Sequence, residues 1–125
     1  MKIIFRIEHP QHQLHGPFSQ ANPSRDALSA HTLAHDLPEA YGDVIGFNCG
    51  RHICATATLE HVVLWFGPFL AQLTQAGFVV TAYEVLPDKL FRSRSGHQVA
   101  FDRADAQVVG VLKPAELLRL QAAHV

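Results

Sequence analysis

Arg6, Glu8, Glu84 and Gln98 are the residues of this sequence whose types and positions best suit chemistry. Arg6 and Glu8 stand two apart in the alternating run KIIFRIEH, so a strand there carries both on one face. Arginine offers a planar fork of five donors that fits a carboxylate or a phosphate. Glu84 sits near the end of the run FVVTAYEV, and Gln98 lies on the run HQVAFD that follows. If these strands adjoin, Arg6, Glu8 and Glu84 form a half-buried polar patch, with Tyr83 on the face opposite Glu84. Such a patch has two uses. One is an internal Arg–Glu pair that fixes strand register, which is the simpler use. The other is a ligand-binding or catalytic face made of Arg6, Glu84 and Gln98.

Nine histidines offer a second chemistry. His9, His12 and His15 are three apart, but Pro10 interrupts them and no regular element aligns their rings. His31 and His35 in HTLAH have the i, i+4 spacing of helical zinc ligands, yet Thr32 stands where a metalloprotease places its Glu base. These five histidines read first as a polar loop and a helix surface, with metal ligation as the alternative. Cys49 and Cys54 in CGRHIC could close a disulfide or join His52 on zinc. A structural zinc site needs a second ligand pair of similar quality, so buried free thiols are the simpler reading. The sequence implies no cofactor.

The elements that must position these residues belong to one domain, residues 1–125. The composition, 48% hydrophobic, supplies one core without staples. A formal net charge of −1 gives no field for nucleic-acid binding. The N-terminus lacks the apolar segment and cleavage site of a signal peptide, and no apolar run is long enough to span a bilayer. The expectation is a cytoplasmic protein with no direct membrane binding.

Alternation predicts a first strand ending at His9-Pro10, followed by a loop through Gly16-Pro17 to Asn22-Pro23. Ser24 caps a helix that offers Ala27, Ala30, Leu33, Ala34 and Leu37 to the core. VIGF (44–47) reads as a short extended piece and HICATA as a strand. Thr58 caps a second helix, broken at Gly67-Pro68 and stopped at Gly77. Its apolar stripe is Leu59, Val62, Val63, Phe66, Leu70 and Leu73, with Trp65 at the edge. FVVTAYEV suits a central strand. HQVAFD and AQVVGVL, joined by DRADA, read as a meander, and Pro114 opens a short terminal helix. The order predicts an α+β fold: a mainly antiparallel sheet of four to six short strands with two or three helices packed on it.

The strings FRIEH…GPFS, TLEHVVLWF, YEV and QVAFD resemble small phage and prophage accessory proteins of unassigned function. The likeness covers Phe5–Ser19, Thr58–Phe66 and Phe78–Asp102. It implies phage origin, and small phage accessory proteins often inhibit host defence, anti-CRISPR proteins among them. A fainter likeness is to ADP-ribosyltransferase-like folds, in which a first-strand Arg holds NAD, a Ser or Thr follows, and a Glu performs catalysis. Arg6, then Thr56 or Thr58, then Gln98 would fill those places, but Gln98 is no carboxylate.

The leading expectation is therefore a non-enzymatic protein that inhibits a host protein or ribonucleoprotein complex, such as a CRISPR effector, by contact. Trp65, Phe69 and Phe91 are its candidate anchors, because interface hot spots favour large rigid side chains. An ADP-ribosyltransferase-like or nucleotide-binding enzyme is the alternative, and a histidine-based metal-binding protein the second alternative.

Overall fold

The computed structural model describes residues 1–11, 16–19, 22–34, 52–94, 96 and 98–119, the side chains of 33 and 34 excepted. His12, His15, His35, Cys49 and the VIGF stretch lie outside the described residues. The described chain is an α+β fold with a six-stranded, wholly antiparallel sheet. Its strands are β1 (Lys2–Glu8), β2 (His52–Thr56), β3 (Val79–Val85), β4 (Phe91–Arg92), β5 (Gln98–Asp102) and β6 (Ala106–Leu112). The helices are α1 (Arg25–Ala34), α2 (Leu59–Phe66) and α3 (Leu70–Gln75). No helix among the described residues is long and apolar enough to cross a membrane.

Local chemistry sets the helix ends. The Thr58 hydroxyl accepts the His61 amide at 3.1 Å and starts α2. Gly67-Pro68 tightens the chain into a 3-10 turn, from which α3 departs. Gly77 ends the run at φ +88°, a conformation that costs glycine nothing. In α1 the inward residues are Leu28 and Thr32, one turn apart, whereas Ala27 and Ala30 face out. Ala27 and Ala30, expected to face the core, are thus turned toward solvent, because the larger Leu28 claims the core position, while Leu37 lies outside the described residues.

The strand order is β4-β5-β2-β1-β3-β6. FVVTAYEV supplies β3, an interior strand between β1 and β6. The expected meander of HQVAFD and AQVVGVL does not form. β5 pairs with β2 and β4, whereas β6 pairs with β3, so three strands separate them. In a flat sheet they would lie about 19 Å apart at the usual strand spacing. The link Arg103–Asp105 can reach only about 14 Å from the end of β5 to the start of β6. The sheet therefore curls until its two sides approach.

The concave face gathers Ile4, Ile53, Ala55, Tyr83, Val85, Val99 and Phe101, with Ala106 packed against them. The other face buries Ile7 and Val80 under Leu28, Val62, Trp65, Phe66, Leu70 and Leu73 of the helices.

Candidate functional site

Arg6 and Glu8 lie on the concave face with Thr81, which stands opposite Arg6 in the β1–β3 ladder. All three are buried. Arg6 Nε donates to Glu8 Oε1 at 3.1 Å, and the Thr81 hydroxyl donates to Oε2 at 2.9 Å. The Tyr83 hydroxyl donates to the same carboxylate, 2.7 Å from Oε2 and 2.9 Å from Oε1. Arg6 Nη1 donates to the Cys54 carbonyl at 2.7 Å. That last bond has a structural cause. Among the described residues, β1 and β2 are in register at Phe5 and Thr56 alone, and the guanidinium bridges the strands beyond that point.

Electrostatics follow burial. Desolvation draws the Arg6 guanidinium below its ordinary value, and Glu8, Cys54 and Tyr83 oppose the shift. Burial pushes the Tyr83 phenol up to about 12, helped by its bond to Glu8 and by that carboxylate's charge, with Arg103 opposing.

The splay between β1 and β2 opens on the helix side into a cleft of about 320 Å³. Arg6, Thr56, Cys54 and Gln98 line it from the sheet, and Phe18, Trp65 and Phe66 wall it. Trp65 and Phe66 stack with planes 3° apart at 5.3 Å, and Phe18 lies 6.3 Å from each ring. The Phe18 loop is tied down by Asn22, whose amide donates to the Pro17 carbonyl at 2.7 Å. The Asn22 side-chain oxygen accepts the Ser24 amide at 2.9 Å, joining the loop to the start of α1. Trp65 Nε1 donates to the Thr32 hydroxyl at 3.2 Å, which couples α2 to α1. The Ser19 hydroxyl, also at the cleft, is buried and makes no hydrogen bond.

The sequence expectations map unevenly onto this geometry. Arg6 and Glu8 do meet, as an internal pair. Glu84 does not join them: it stands opposite Ile3, on the other face of the sheet. It borders a shallow surface depression with Lys89 and Asp105. Gln98 stands opposite Thr56 and shares the cleft with Arg6. Trp65 is not at the edge of a stripe but in the core, 6% exposed. Phe69 is half-buried with its ring 5.5 Å from His31, and Phe91 is exposed on β4 against His52. His9 sits edge-on to Phe78 at 5.5 Å. Among the described residues, no three His, Cys, Asp or Glu converge as a metal site. Sequence reading missed Phe18 and Asn22. Asn22-Pro23 was legible as a turn, but not as the clamp that sets a cleft wall.

No curated protein and no solved structure matches the chain. The family model described as Bacteriophage T4 Y00F protein matches residues 1–115, and the chain belongs to that phage protein family.

Proposed function

We propose that this small phage protein binds and inhibits a host defence complex, for example a CRISPR effector, by protein–protein contact and without chemistry of its own. The observation that carries the reading is the aromatic cleft. Its volume of about 320 Å³ and its Phe18, Trp65 and Phe66 walls suit one large apolar side chain of a partner. Such desolvated pockets are where interface energy concentrates. The Glu8 carboxylate beneath it accepts bonds from Arg6, Thr81 and Tyr83, which suits a structural group better than a proton carrier. Phe91, exposed on the far edge strand, is a second anchor. The test is a calorimetric titration of a purified effector with the wild type and with Phe18→Asp. Phe18 is 42% exposed, so the variant should fold. Its affinity should fall about thirtyfold or more. Equal affinity for both proteins would remove the cleft from the reading.

A second reading is a nucleotide-binding or ADP-ribosyltransferase-like module. It is favoured by Arg6, Thr56 and Gln98 sharing one cleft. It is weakened by the amide at Gln98 and by the placement of Glu84 across the sheet. Trp65 is the single tryptophan and lines that cleft, so NAD or nucleotide bound there would change its fluorescence. Saturable quenching would favour this reading over the first.

A further inference from the structure

We infer that two copies of this chain pair antiparallel through β6, about a two-fold axis near Val109, joining their curled sheets into one. Among the described residues, β6 is an edge strand, hydrogen-bonded to β3 on one side only. Its seven residues, AQVVGVL, contain no charge. Val108, Val109 and Val111 are 47%, 47% and 58% exposed. Natural sheets blunt such edges with charges or extreme shortness, because the unpaired amides and carbonyls template another strand. The opposite edge obeys that rule: β4 has two residues, one of them Arg92. The one blunting feature of β6 is a bulge, which leaves Val109 without a partner on β3 and adds twist. It adds no charge.

Charge placement selects a second copy as the occupant. Asp105 immediately precedes β6 and Lys113 immediately follows it, both exposed. An antiparallel pair centred near Val109 brings Asp105 of each copy beside Lys113 of the other. Both ends of the joint strand pair are then neutralised, while the exposed valines meet in the middle. A parallel arrangement would set Asp105 beside Asp105 and Lys113 beside Lys113. The pairing uses neither the cleft nor the Arg6 network, so it stands or falls independently of the inhibitory reading.

The test is sedimentation velocity on the full chain. The wild type should sediment as a dimer that dissociates on dilution. Asp105→Lys and Lys113→Asp should each weaken the dimer about tenfold or more, because each places like charges at both ends. Mixing the two variants should restore it, since only the mixed pair sets Lys opposite Asp at both ends. Circular dichroism on each variant checks that the fold is intact, and both positions are exposed. A wild type that stays monomeric at its highest soluble concentration would overturn the inference. So would a dimer indifferent to these substitutions, or variants that fail to complement each other on mixing.

Discussion

Arg6 Nε lies 3.1 Å from Glu8 Oε1, two residues along the same strand, and both side chains are buried. The pair continues through Glu8 to Thr81 and Tyr83 on the neighbouring strand and through Arg6 to the Cys54 carbonyl. One carboxylate and one guanidinium thus tie three strands together at the point where β1 and β2 part.

Breaking this network from one side should cost far more than replacing it whole. Arg6→Ala should destabilise the fold by about 3–5 kcal/mol, because Glu8 is left charged and buried. The combined Arg6→Met, Glu8→Leu and Tyr83→Phe variant removes both charges and the phenol bonded to them, leaving the Thr81 hydroxyl to lose one bond, and should recover most of that loss. Urea denaturation of the four proteins (wild type, Arg6→Ala, Glu8→Ala and the triple variant) checks the ordering. A triple variant as unstable as Arg6→Ala would show that the network contributes net stability.

Alkaline pH should loosen the same region. Tyr83 has its phenol pKa raised from 10.0 to about 12, so the folded state holds the proton more tightly than the unfolded state. Its contribution is complete below about 10 and is lost as pH rises toward about 12. Tyr83→Phe should flatten that part of the stability profile, at a cost of about 1.5–3 kcal/mol for the lost bond to a charged group. Thermal melts between pH 9 and pH 12 (roughly the window of this linkage) measure both effects. An unchanged slope in the variant would contradict the assignment.

Metal removal should change nothing. The rings of His9 and His31 pack against Phe78 and Phe69, a use that needs no ion. A strong chelator should leave the melting temperature where it was, because a metal that supported the fold would take its binding energy with it. Stoichiometric zinc in the purified protein, with a large drop on chelation, would make His31 and His35 the first candidate ligands.

Amide exchange should be slowest across Phe78–Val85. β3 is paired on both sides, with Val80 buried on one face and Tyr83 and Val85 on the other. Exchange read by mass spectrometry or NMR should show that segment opening only with the whole molecule. Faster exchange there than in α1 would contradict it.

Alternation and capping made the local elements legible. KIIFRIE, HICAT, VVTAYEV and QVAFD are strands, and Thr58, Gly67-Pro68 and Gly77 mark the helix ends. What alternation cannot supply is the parity between strands. Tyr83 and Glu84 point oppositely in any register, but only the ladder decides which of them meets Glu8. The observed pairing of Ile3 with Glu84 selects Tyr83, and a one-residue slip would have reversed the answer. Sheet order was equally hidden. Consecutive strands usually neighbour each other, and β5 and β6 separate because β5 closes on β2 while β6 extends β3. The cleft depends on Asn22 holding the Phe18 loop, a bond with no periodic signature.

Inhibition by contact through the aromatic cleft, with the Arg6 network serving the fold, remains a proposal that one experiment in cells can decide. That experiment follows plaque formation by a phage targeted by CRISPR interference, in cells producing this protein or a variant. The wild type should restore plaques, Tyr83→Phe, which loosens the Arg6 network from outside the cleft, should restore them equally, and Phe18→Asp should not. A folded Tyr83→Phe variant that fails while Phe18→Asp succeeds would contradict inhibition through the cleft and place the function on the strand face.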